Sequence, residues 1–185
     1  MDQSTVLIVV IAIAVIALAI AAWIVVQKNR TKRLRGRFGP EYDRAVAEAG
    51  NRRKAEDLLE ARRKRVAKFT LTPLTPEQQN RFGKEWTAVQ TRFVDDPVSA
   101  VADANRLVKE VMQARGYPVA DFDQRAADLS VDHPVVVTNY RAAREIASRA
   151  ESGKASTEDL RKAVVYYRDL FQELLASREV VGVAR

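Results

Sequence analysis

The chain contains no cysteine, which excludes disulfides, thiolate nucleophiles and sulfur-ligated zinc and fits a reducing compartment. It contains one histidine, His133. A di-metal centre in a helical bundle needs Glu-x-x-His pairs on facing helices, and one histidine cannot supply them. The seven glycines are scattered at breaks in the apolar pattern. No phosphate loop, dinucleotide fingerprint or kinase signature occurs. Acidic residues are absent from Gln27 to Pro40.

What is present begins with Val6 to Val26, a run with no charged side chain. As a helix it satisfies its own backbone and is about 30 Å long, the thickness of a bilayer's hydrocarbon core. Trp23 near its end suits the headgroup boundary. A cleaved signal peptide would start with a basic region and carry a shorter run, whereas only Asp2 precedes this one. Small residues Ala19, Ala21 and Ala22 keep cleavage open as the competing reading. Lys28, Arg30, Lys32, Arg33, Arg35 and Arg37 follow the run, and basic residues next to a span stay cytoplasmic. The predicted topology places residues 1–5 outside, 6–26 across the membrane, and the rest inside.

The net charge of +7 is unevenly placed. Residues 28–37 hold six bases and no acid, whereas residues 69–185 hold sixteen bases and seventeen acids. The distal body is nearly neutral, so a basic nucleic-acid-binding domain is not supported. The six collar residues are instead the predicted membrane-surface contact, each worth about 1 kcal/mol beside anionic lipid.

Residues 27–39 read as a basic juxtamembrane linker, jointed at Gly36 and Gly39. Residues 40–69 read as a basic helical stalk, starting at Pro40, interrupted at Gly50-Asn51 and recapped by Asn51. Arg53 with Asp57, and Glu60 with Lys64, stand four apart and suit pairing across one turn. Arg52, Arg53, Arg62, Arg63, Lys64 and Arg65 form a candidate partner surface, and the segment from Gly116 to Pro134 a second one. Residues 70–176 read as a helical bundle. Thr75-Pro76-Glu77-Gln78 is a capping box opening a helix with Phe82, Trp86, Val89 and Phe93 on one face. Asp96-Pro97 starts the next, with Val98, Val101, Val108 and Met112 inward. Asp121 and Asp132-His133-Pro134 open two more, and Ser156 opens the last, striped by Leu160, Val164, Tyr167, Phe171 and Leu174. Val135 to Thr138 has strand-like composition, but no second strand is available to pair with it. The tail from Ser177 is expected to fray.

Asp121, Asp123, Asp128, Asp132 and His133 are the candidate metal-binding cluster, since hard cations take oxygen ligands. The spacing fails the calcium-loop pattern: the required glycine falls on Ala126 and position twelve is Asp132. Ser130 with His133 and an aspartate would suit nucleophilic chemistry, but no nucleophile elbow surrounds Ser130. No cofactor is implied.

The blocks RFGPEYDRAV, RFVDDP, ARGYPVADFDQRAADLSVDHP and STEDLRKAVVYYRDLF resemble a family of uncharacterised bacterial proteins with one N-terminal span. The resemblance covers nearly the whole region after the span and implies a bacterial plasma membrane. It brings no activity, ligand or catalytic residue.

The expectation is an all-α protein: a transmembrane helix followed by a cytoplasmic bundle acting as a non-enzymatic adaptor for a protein partner. A metal-dependent enzyme or sensor, and binding of anionic lipid or nucleic acid through the basic region, are the alternatives. The apolar seam of the last helix would serve a homo-oligomer if exposed.

Overall fold

The apolar run forms the first part of a single 36-residue helix, α1 (Gln3–Phe38). The structure is a computed structural model and describes residues 3–118 and 120–176, with side chains from Ile11 to Pro118 and from Ala120 to Ala176. Within α1, Ile11–Phe38 contains a window long and apolar enough to cross a membrane, and none of that window is buried in the protein. The tail from Ser177 lies outside the described residues.

The expected joint at Gly36 is absent. The helix runs through Gly36 and turns only at Gly39, whose φ is +48°. Leu34 and Phe38, one turn apart, are 1% and 0% exposed. Burying two such side chains contributes about 1.5–3 kcal/mol each, more than the roughly 1 kcal/mol that a glycine costs inside a helix. Residues 27–38 are therefore the docked end of α1, not a linker.

They dock against a hairpin of α2 (Pro40–Ala49) and α3 (Arg52–Val66). Gly50 closes α2 in the left-handed conformation, and Asn51 caps α3 by accepting from the backbone of Arg53 (2.8 Å) and Lys54 (3.2 Å). α2 runs back along α1. α3 then runs parallel to α1, as Arg30 meets Asp57 and Arg33 meets Glu60. Leu34, Phe38, Tyr42, Ala45, Ala55, Leu59, Val66 and Val131 form the core of this three-helix unit. The expected stalk is thus one wall of a packed unit.

The remaining helices are α4 (Pro76–Asp95), α5 (Pro97–Ala114), α6 (Phe122–Leu129), α7 (Pro134–Glu151) and α8 (Thr157–Ala176). α4, α5, α8 and α7 pack in that order, and short α6 bridges α3 and α7. Among the described residues there is no strand. The β-branched run at Val135 lies in α7, where Val137 is buried against the other helices. The capping box forms as expected, with Thr75 Oγ1 accepting from the Gln78 backbone and Gln78 Oε1 from that of Thr75. Phe82, Trp86 and Val89 are buried, and Trp86 stacks on Phe171 at 4.8 Å between centroids. Val98, expected inside, is 48% exposed in the first turn of α5. The core begins two residues later at Ala100 and Val101.

Candidate functional site

Two places gather the charged residues singled out above: the end of the three-helix unit next to the apolar part of α1, and its junction with the bundle.

At the first, the parallel run of α1 and α3 brings their charges side by side. Arg30 donates to Asp57 (2.7 Å) and lies 3.9 Å from Glu56. Arg33 lies 3.7 Å from Glu60. Arg35 donates to Asp43 (3.0 Å) and sits over the Tyr42 ring. Arg37 donates to the Val131 carbonyl and to Asp132, both at 3.3 Å. Four of the six collar cations are therefore committed within the protein. Lys28 and Lys32 make no ion pair among the described residues and are exposed. The pairing expected inside α3 is redirected, since Asp57 takes Arg30 and Glu60 takes Arg63 (2.6 Å). Through that bond first, Arg63 holds the Glu60 carboxyl below its ordinary value, against the effect of burial.

The six cations of the candidate partner surface divide in the same way. Arg62 is pressed against Glu41 (3.9 Å), Arg63 binds Glu60, and Arg65 donates to Asp128 (3.1 Å) while lying over Phe69. Arg52, Arg53 and Lys64 form no ion pair among the described residues. Arg52 and Arg53 open α3 beside the end of the apolar run of α1. With Trp23, Ile24, Lys28 and Lys32 they line a groove of about 770 Å³.

The five candidate metal ligands are not brought together. Asp121 caps α6 by accepting from the Gln124 backbone (2.8 Å). Asp123 is almost fully exposed, 4.0 Å from Arg141. Asp128 is buried between Arg65 and Gln124 (2.8 Å), and burial pushes its carboxyl above the ordinary value against the pull of those partners. Asp132 pairs with Arg37, and His133 Nδ1 lies 3.2 Å from Glu173. No group of three or more acid or histidine side chains converges among the described residues. Ser130 is buried and donates to the Ala127 carbonyl at 2.6 Å.

Asp132 and His133 do share a wall of a cavity of about 390 Å³ at the junction of the two cores. The segment from Gly116 to Pro134, expected to be a contact loop, instead folds inward through Tyr117, Ala126 and Val131. Gly116 makes that possible. It has φ +92°, and a side chain there would collide with the Thr70 carbonyl. The close approach lets the Thr72 backbone donate to the Arg115 carbonyl (3.0 Å), which closes the extended linker over the end of α5. Arg37, Arg63 and Arg115 enter the cavity wall from three separate parts of the chain, and Phe69 and Leu71 add apolar wall. Arg115 was missed in the sequence, and Tyr117 figured only within the segment from Gly116 to Pro134. Their only local signal is the Arg-Gly-Tyr step at a helix end, and nothing in it shows burial.

Compared with known proteins, the chain matches no family profile, no curated protein and no solved structure.

Proposed function

We propose that the protein is a single-pass, membrane-anchored scaffold that holds a rigid helical module at a fixed distance and orientation from the bilayer. One observation carries this reading: the helix able to span the membrane continues unbroken into the head and ends with Leu34 and Phe38 in its core. A flexible tether would confine the head, whereas a docked helix also orients it. Positive charge after the span favours a cytoplasmic head, in a bacterial plasma membrane. The scaffold reading takes a protein partner without chemistry of its own, and exposed apolar side chains such as Val94 and Val98 at the α4–α5 turn are open to contact. A reporter fused after Arg185 tests the topology and is expected on the cytoplasmic side. In-cell crosslinking from the head is expected to give one stoichiometric partner. That crosslink should disappear when a flexible Gly-Ser insert after Val26 separates span and head.

A second reading has its own observation. Lys28, Lys32, Arg52 and Arg53 form no ion pair among the described residues and ring the groove where α3 begins beside the span. The positive end of the α3 dipole adds to them. This arrangement favours an anionic phospholipid headgroup over nucleic acid, since the rest of the basic surface on α3 is mostly neutralised from within.

A further inference from the structure

Arg115 is 3% exposed, yet forms no ion pair among the described residues. Its Nη1 donates to the Leu174 carbonyl (2.9 Å), and its Nε has no hydrogen-bond partner among the described residues. A buried guanidinium in a folded protein is ordinarily paired, because removing its charge from water is costly. Two residues on, Tyr117 is 4% exposed, and its hydroxyl also has no partner among the described residues. Burial, more than the nearby Asp132, pushes that phenol far above its ordinary range, so it stays a hydrogen-bond donor. Arg115 and Tyr117, both nine-tenths buried, are wall residues of one cavity.

The charges around the cavity determine what would complete it. Arg37 is balanced by Asp132 and Arg63 by Glu60. His133 faces Glu173. Among the described residues, Arg115 is the cavity cation with no carboxylate partner. The remaining wall is largely apolar, with Val66, Phe69, Leu71 and Val131. A volume of about 390 Å³ falls within the range of small-molecule sites, which combine apolar walls with a few convergent polar groups.

We propose that the junction cavity binds a small organic monocarboxylate, its carboxylate held by Arg115 and the Tyr117 hydroxyl and its hydrocarbon body against Phe69 and Leu71. A guanidinium presents a planar fork matched to a carboxylate, and one negative charge balances the one unpaired cation. Lipid is not the source. Arg37 lies eleven residues beyond Val26 in the same helix, about 16 Å further from the bilayer. The ligand would touch both the three-helix unit and the bundle, since Phe69 packs against both cores. This assignment goes beyond the scaffold reading and stands whichever side of the membrane the head occupies.

The test uses the full chain in lipid nanodiscs, with benzoate as probe, benzamide as its neutral isostere and inorganic phosphate as the plain anion, at matched ionic strength. Benzoate is expected to bind saturably by calorimetry and to raise the melting temperature. Benzamide and phosphate should do neither. Tyr117→Phe removes a hydroxyl with no partner among the described residues, so the unliganded melting temperature should hold while benzoate affinity falls about tenfold, the loss of one hydrogen bond to a charged group. Arg115→Met should abolish binding. If Arg115→Met does not fold, Tyr117→Phe alone decides the matter. Absence of saturable benzoate binding overturns the proposal. So does an equal response to benzamide or phosphate, or benzoate affinity unchanged in Tyr117→Phe.

Discussion

Thr31 of α1 donates its hydroxyl to Glu56 of α3 at 2.6 Å, twenty-five residues away in the chain. The same carboxylate oxygen accepts from the Tyr42 hydroxyl of α2 at 2.9 Å. Glu56 is 3% exposed, so one buried carboxylate joins all three helices that carry the head on the span. The rigidity proposed for the junction rests on this node and on the apolar pair Leu34 and Phe38 beneath it.

Glu56→Ala should therefore loosen the junction. It leaves the Thr31 and Tyr42 hydroxyls without their acceptor inside the protein, at about 1–3 kcal/mol for the buried Tyr42 hydroxyl and less for the half-buried Thr31. Glu56→Gln keeps an oxygen in the same place and should cost less than Glu56→Ala. Hydrogen exchange along α2 and α3 reads the difference. Equal exchange in the two variants would show that the node does not hold the helices together.

The lipid reading separates the collar into two classes. Replacing Lys28, Lys32, Arg52 and Arg53 by glutamine should reduce the number of phosphatidylglycerol molecules retained in native mass spectrometry and leave the melting temperature near its starting value. Each such charge is worth about 1 kcal/mol beside an anionic surface. Replacing Arg30 and Arg33 should do the reverse, because their partners Asp57 and Glu60 lie within the protein. Equal lipid loss in the two sets would contradict the assignment.

Asp128 gives a pH dependence with a definite sign. Burial raises its carboxyl above the ordinary value of 3.8, opposed by Gln124 and Arg65. A carboxyl with a raised folded-state value takes up its proton more readily folded than unfolded. Its contribution to stability is thus full below pH 3.8 and is lost as the pH rises through the raised value. Asp128→Asn removes the titration while keeping an oxygen that accepts from Gln124. Denaturant unfolding of both proteins at a series of pH values from about 3 upward should show the parent losing stability relative to Asp128→Asn as the pH rises through that window. A parent that gains stability relative to the variant over that window would reverse the sign.

Much of the helical layout was legible because its signals are local. Thr75-Pro76 with Gln78, Asp96-Pro97 and Asp121 each cap a helix with atoms three or four residues away, and the stripe of Phe82, Trp86 and Val89 follows directly from 3.6 residues per turn. The pairing of charges was not legible. Arg53 with Asp57 suits local spacing, but Arg30 lies parallel and takes Asp57 first. Glu41 is held by Arg141, a hundred residues on, and no periodicity encodes that bond. Gly36 was a misleading breaker. The better signal was Leu34 and Phe38, two apolar residues at i and i+4 in a basic stretch, the pattern of a helix with one face to bury. The junction cavity depends on three arginines far apart in sequence. It becomes visible only once the fold has brought them together.

The proposed span and the head are expected to form one continuous body. The absence of native cysteine makes the direct test clean. Asn29→Cys on α1 and Lys162→Cys on α8, both exposed in the parent chain, can be spin-labelled in the full-length protein in nanodiscs and their separation measured by double electron–electron resonance. A single narrow distance distribution, broadened by a Gly-Ser insert between Arg30 and Thr31, is the predicted result. A broad distribution in the parent chain, unchanged by the insert, would contradict it.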